Sequence, residues 1–307
     1  MIEYKTKNTM KYLFIAFALF ISNNVFTQSV SFTFDDGSLG NMPGYSLQEW
    51  NSMLLKKLDN ANVKAMLFVM GKDKSSIKGN YLLNSWNTKG HNIANHTFSH
   101  KNYNSESTLF EDFKNDFIKN DFIISKYSNY TKLFRFPYLK EGNTKEKINS
   151  FRVFLKNQNY KNGYVTIDAS DWYINSRLIK RLRQNKNADI SDFRRFYLNH
   201  IWERAQFYEK LSYELTGRHI KHTLLLHHNL AASLFIDDLI AMFKEKNWKI
   251  TSAEEAFKDS IYDKTPTYAG ESLIYALAKD SGNYKNILRY PAEDSRYEKE
   301  KMDELGL

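Results

Sequence analysis

The 307-residue chain has no cysteine. That removes disulfides, thiolate chemistry, cysteine-ligated metals and lipoprotein attachment at once. A core of this size needs no covalent staples, so the absence fits either redox compartment. Past the first residues no apolar run approaches the roughly 20 needed to cross a bilayer, and there is neither an internal repeat nor a low-complexity linker. Charge of one sign prevails only mildly. The formal net charge is +9, with Lys and Arg spread along the chain and enriched between Arg177 and Arg195. Such a balance reads as a solubility feature, and no nucleic-acid partner is expected. An acidic polymer or cell-wall substrate is compatible with it.

Apolar residues make up 42% of the chain and aromatics 15%, enough for a substantial core and too much for a disordered chain. The length allows one large domain or two modest ones. Lys5, Lys7 and Lys11 form a basic start, and Tyr12 to Ile21 is an unbroken apolar run followed by Ser22-Asn-Asn24. That run is too short for a membrane span and has the length of a signal-peptide core. Residues 1–27 are therefore read as an export signal cleaved near Thr27–Gln28, placing the protein outside the cytoplasm (periplasmic or extracellular) with no stable membrane anchor afterwards. Oligomeric state is not legible.

Short apolar runs then alternate with longer amphipathic stretches. Strands are expected at 30–34, 65–70, 92–95, 133–136, 164–167, 223–226 and 249–251. Helices are expected at 46–60, 77–89, 109–127, 145–157 and 235–246. Strand–helix alternation of this length implies parallel pairing and an α/β sheet or barrel. Residues 173–222 read as a basic, aromatic-rich helical insertion. After Ser260 one helix is expected at 267–279, and 284–307 reads as irregular.

Chemistry concentrates at strand ends, where α/β barrels keep their active groups. Asp35 and Asp36 close the first strand in Ser31-Phe-Thr-Phe-Asp-Asp-Gly37, and His96 and His100 follow the third at i, i+4. Arg135, Asp168 with Asp171, and His227 lie at or beyond the ends of three further runs. Each has a bland reading alone, as a turn, a cap or a satisfied core histidine. Two adjacent carboxylates nevertheless repel each other unless a cation lies between them or their roles are split. Two imidazoles with one carboxylate make a donor set suited to Zn²⁺ or Co²⁺.

Five short motifs carry a family resemblance: Thr33-Phe-Asp-Asp-Gly37, His96-Thr-Phe-Ser-His100, Arg135-Phe-Pro-Tyr138, Asp168-Ala-Ser-Asp-Trp172 and Leu224-Leu-Leu-His227. In this order the chain resembles the polysaccharide deacetylases that share the NodB homology domain (carbohydrate esterase family 4), over roughly residues 30–255. The resemblance implies a distorted (β/α)7 barrel over 28–260; the helical insertion 173–222 read inside it is longer than in compact relatives, and 261–307 is read as a C-terminal extension packing on the barrel. It also implies a divalent metal, zinc first and cobalt or nickel as substitutes, held by Asp36, His96 and His100. The implied reaction is removal of N-acetyl groups from a chitin- or peptidoglycan-like glycan, releasing acetate. O-acetyl ester hydrolysis on xylan or a similar glycan is the alternative, and an inactive glycan-binding protein the remoter one.

Within that resemblance Asp35 is the general base, oriented by Arg135 and kept ionised by local positive charge. The Tyr138 N–H helps hold the oxyanion, and His227 is the acid with Asp171 on its far nitrogen. Trp172 and Leu225 form the acetyl pocket beside Tyr138. His228 and Asn229 follow His227, where many relatives have an acidic residue.

Overall fold

The computed structural model describes residues 28–284 and 294–307; the stretch read as an export signal, 1–27, lies outside them. Among the described residues seven strands form one sheet: β1 Ser29–Asp36, β2 Met66–Val69, β3 Asn92–Asn95, β4 Tyr130–Phe134, β5 Lys161–Asn162, β6 Lys221–His227 and β7 Lys249–Ile250. All pairings are parallel, in the order β5-β4-β3-β2-β1-β6, with β7 added to β1 at Ser29 and Val30. Past β5, Ile167 bridges to Leu224 of β6, and the Leu225 N–H donates to the Ile167 carbonyl at 3.0 Å. Residues 161–167 thus link β4 to β6, and the sheet curls into the distorted α/β barrel that the family resemblance implied.

The helices are α1 Leu47–Asn60, α2 Ile77–Thr88, α3 Phe110–Ile124, α4 Lys145–Asn157, α5 Asp171–Gln184, α6 Ser191–Thr216, α7 Leu230–Glu245, α8 Ala253–Ala256, α9 Leu273–Ser281 and α10 Arg296–Glu304. Local sequence sets their starts. Ser46 and Glu49 form a reciprocal capping box before α1, and Thr144 and Asn229 cap α4 and α7 through their side chains. Each cap satisfies a backbone N–H that the helix cannot. Leu47, Trp50, Leu54, Leu55 and Leu58 then recur on one buried face of α1.

Both faces of β1 are covered, and its alternation sorts two kinds of residue. Phe32 packs on Phe243 of α7 and Phe34 on Trp86 of α2, with ring centroids 6.1 and 5.6 Å apart. On the opposite face Ser31 and Thr33 are fully buried and donate to the carbonyls of His222 and Leu224. This face of β1 is therefore polar, with the Ser31 and Thr33 hydroxyls satisfied within the sheet, as buried polar groups require.

Three stretches depart from expectation. The strand expected at 164–167 is replaced by the polar pair Lys161–Asn162 on β4, with only Ile167 bridging to β6. Within 284–307, Arg296–Glu304 is helical, with Glu298 and Met302 buried. Only this i, i+4 pair turns inward among otherwise charged residues, so no apolar period betrays the helix. The insertion is two helices: α5 begins at Asp171 itself, and α6 runs for 26 residues before Gly217 ends it at φ 71°.

Candidate functional site

Successive side chains of a strand point to opposite faces, so Asp35 and Asp36 should diverge. They do not, because Asp36 adopts φ 76° and Gly37 follows at φ 72°. The left-handed turn swings the second carboxylate back, and both residues line one cavity of about 300 Å³. Thr97, His100, Tyr138 and Leu139 also have positive φ, between 57° and 61°. The other non-glycine residues of this kind among those described, Asn62, Asp73, Asn159 and Asn247, belong to the types that tolerate it. Backbone strain in Thr97, Tyr138 and Leu139 thus gathers around this cavity, as it does at functional sites.

Asp36, His96 and His100 each offer a ligand atom within 4.8 Å of the others. His100 Nε2 lies 3.4 Å and His96 Nε2 3.8 Å from Asp36 Oδ1, near the ligand spacing of about 3.3 Å that tetrahedral bonds of roughly 2.0–2.1 Å dictate. Asp36 Oδ1 is buried without a hydrogen-bond partner among the described residues. The Nδ1–H of His96 donates to the Arg135 carbonyl at 2.8 Å, which fixes the tautomer and turns the Nε2 lone pair toward the carboxylate. Burial pushes both imidazoles down to about 4, so they are neutral and able to donate at neutral pH. Asp36 is held below the usual carboxylate range: burial opposes this, and His227 leads the charges that overcome it. An orphaned carboxylate oxygen facing two imidazole lone pairs fits a divalent cation.

Asp35 is almost fully buried, and its Oδ1 receives Arg135 Nη1 at 2.6 Å. Arg135 is itself pinned, donating through Nε to the Gly163 carbonyl and through Nη1 to Thr33 Oγ1 at 2.9 and 3.0 Å. Its guanidinium lies 3.8 Å from the centre of the Phe68 ring. The expectation that local positive charge keeps Asp35 ionised fails for the chain alone. Burial outweighs Arg135 and His227, and the Asp35 pKa is raised. A cation beside Asp36 would supply the positive charge that is short.

On the facing side, Asp35 and His227 are register partners in β1 and β6. His227 Nδ1–H donates to Asp171 Oδ1 at 2.7 Å, while Asp171 Oδ2 accepts from the His227 backbone N–H and from Asn229 Nδ2, both at 2.9 Å. Burial lowers the affinity of His227 for its proton, but Asp171, Asp36 and Asp35 more than compensate and push its pKa up to about 10. With Nδ1 committed to Asp171, Nε2 is the nitrogen left for chemistry. His228 faces away, packed on Trp50 and donating Nε2–H to Asn51.

Tyr138 and Trp172 form walls of the same cavity, with Leu139, Ala169 and Leu225 at its apolar side. The Tyr138 ring meets His100 edge-on at 4.6 Å. Its backbone N–H donates to no group among the described residues, although the next two N–H groups close the turn onto Phe136 and Pro137. Asp168, read as a turn residue, is buried and does not line the cavity. Sequence reasoning passed over Thr33, which braces Arg135, and Asn229, which braces Asp171. A polar residue in an apolar strand and an Asn at a helix start were the available signals. It also passed over Lys74, buried under Gly37, where an added Cβ would lie 3.2 Å from Lys74 Cε.

Residues 22–151 match a family model described as polysaccharide deacetylase. A peptidoglycan-N-acetylglucosamine deacetylase from Bacillus cereus is 28% identical over 144 residues, 47% of this chain and 46% of that protein. The chain thus spans about half the length of the curated relative it matches. Among solved structures, a peptidoglycan N-acetylglucosamine deacetylase in complex with an N-oxidanyl-benzamide superposes with a TM-score of 0.51 at 20% identity, covering 76% of this chain and 92% of that one. A carbohydrate esterase family 4 pseudoenzyme from Bacillus anthracis does so with a TM-score of 0.51 at 16% identity, covering 75% and 65%. An enzyme and a pseudoenzyme fit equally well, so these likenesses speak for the fold. The sequence match takes in the motifs of Asp35, His96 and Arg135, and the fold carries His227, backed by Asp171, to the same cavity. Residues 22–151 thus resemble the polysaccharide deacetylase family in sequence, and the chain shares its fold with solved carbohydrate esterase family 4 structures.

Proposed function

We propose that the protein is an exported, metal-dependent deacetylase that removes N-acetyl groups from an amino-sugar glycan of the chitin or peptidoglycan kind. One observation carries the reading: a single cavity has the Asp36–His96–His100 triad and the Arg135-braced Asp35 on one side, and the Asp171–His227 pair on the other. A divalent ion held by the triad would polarise the acetyl carbonyl and acidify a water. Asp35 is placed to take that water's proton, its other oxygen being fixed by Arg135. The Tyr138 N–H, free at the cavity wall, is a donor for the oxyanion. Trp172 and Leu225 bound the space for a methyl group, and a pocket of that size discriminates by about 1–3 kcal/mol per methylene.

An amide needs its leaving nitrogen protonated, and His227 Nε2 is the group for it. An acid held cationic by Asp171 favours amide over ester as the substrate bond. The zinc-loaded chain is therefore expected to release acetate from N-acetylglucosamine oligomers and peptidoglycan fragments. Release from acetylxylan alone would reassign it as an esterase, and glycan binding without any release would make it a pseudoenzyme.

Metal loading is testable apart from turnover. The chain is expected to retain one equivalent of zinc, cobalt or nickel through gel filtration, with His100→Ala losing it under the same conditions. A chain that holds no metal after loading, or an unchanged affinity in His100→Ala, would remove the triad from the proposal.

A further inference from the structure

We infer that the C-terminal helix α10 positions the acid half of the site, with Glu298 acting through His200. This rests on the roles proposed for His227 and Asp171. Asp171 and Trp172 open α5, and Ser170 stands at its N-cap position with φ −90° and ψ 44°. Residues 168–171 are all buried, so the Ser170 N–H requires a partner inside the protein. His200 of α6 provides one, accepting through Nε2 at 3.3 Å. That bond places the ring proton on Nδ1, which faces Glu298 Oε1 of α10 at 3.7 Å. Glu298 has no exposed surface and also receives Arg204 Nη2 at 2.6 Å.

The same helix holds α5 further along. Arg177 bonds Asp303 at 2.7 Å and the Leu307 carbonyl, and Arg181 bonds the Gly306 carbonyl. Met302 and Leu307 are buried in the main core. The helix carrying Asp171 and Trp172 is thus braced at its first turn and along its middle from one C-terminal segment. Packing alone does not call for this arrangement, because a buried carboxylate is costly and apolar side chains of similar volume would fill the space as well or better. What the charge adds is a fixed His200 ring directly behind Ser170. Freeing that ring lets Asp171 shift relative to His227, and displacements of the order of 1 Å cost up to about 10²-fold in rate.

The test uses the full zinc-loaded chain carrying His200→Leu or Glu298→Gln. His200→Leu is expected to lower kcat on an N-acetylated oligosaccharide by roughly tenfold or more, with kcat on 4-nitrophenyl acetate changed by less than about twofold. KM and zinc content should stay near wild type. Glu298→Gln, which keeps an acceptor for Arg204, should show the same selective loss in weaker form. Amide and ester rates falling together, or a folded His200→Leu protein with wild-type amide kcat, would overturn the inference. Should His200→Leu not fold, the paired change Arg204→Met with Glu298→Leu removes the buried charges without stranding either, and the same ratio is read. An NMR measurement of the His227 Nδ1–H proton in the metal-free chain is independent of turnover. The inference requires faster exchange of that proton in the variants, and an unchanged exchange rate would also overturn it. If the wild-type chain releases no acetate from any amide, the functional reading fails, while the proton measurement still decides the bracing.

Discussion

Asp35→Asn is expected to reduce acetate release by about 10²–10⁴-fold, the usual worth of a positioned general base, while the protein keeps its metal. The separation of roles is not obvious from distance alone. His96 Nε2 lies 3.7 Å from Asp35 Oδ2 and 3.8 Å from Asp36 Oδ1. Hydrogen bonding distinguishes them: Asp35 is committed to Arg135, whereas Asp36 Oδ1 has no hydrogen-bond partner among the described residues and also faces His100. Metal analysis of Asp35→Asn therefore tests the division directly, and loss of the ion together with activity would make Asp35 a ligand instead of the base.

Stability gives a second, opposite-signed readout. The folded Asp35 pKa is raised by burial, so the folded chain holds a proton that the unfolded chain releases at lower pH. Stability is then lost as pH rises from the unfolded value through the raised one. Asn cannot titrate and still accepts from Arg135. At neutral pH the metal-free variant should thus be at least as stable as wild type in urea, the trade expected where a strained group serves function. A variant clearly less stable than wild type would mean that the charge on Asp35 is the main support for Arg135, whose stranding would cost about 3–5 kcal/mol.

The reach of the sequence differs between the two halves of this site. Asp35, Asp36, His96 and His100 lie in two short segments whose residue types and spacing already limit the chemistry, and six of the seven strands were placed because parallel buried strands read as apolar runs; β5, Lys161–Asn162, is polar and was missed. The turn that makes the pair usable, Asp36 at φ 76°, was only hinted at by Gly37. The supports were hidden for a different reason. Thr33 and Arg135 are 102 positions apart, and Asp171 and Asn229 are 58 apart, so nothing local records that they meet. Helix α10 escaped notice because its buried pair is one Glu and one Met among exposed charges. The direction of the Asp35 shift depended on burial, which only the closed barrel supplies.

His227→Ala is expected to cost about 10²–10⁴-fold on an N-acetylated oligosaccharide and far less on an activated aryl acetate. The contrast follows from the leaving group: an amine departs only when protonated, whereas a phenolate departs unaided. In the metal-free chain His227 should titrate near 10, well above an ordinary imidazole, and NMR of its ring protons checks this. Because the folded pKa is raised, the contribution of the Asp171–His227 pair to stability is fully present below the unfolded value of about 6.5. It fades as pH rises through the folded one. Asp171→Asn removes the largest attractive charge, so the His227 titration should move to lower pH, toward and even past the unfolded value as burial takes over. Amide turnover should fall with it, while ester turnover holds. If Asp171→Asn instead left the His227 titration in place, Asp36 and Asp35 across the cavity would be the source of the shift. The two carboxylates at the end of β1 would then be holding the acid charged as well as serving metal and water.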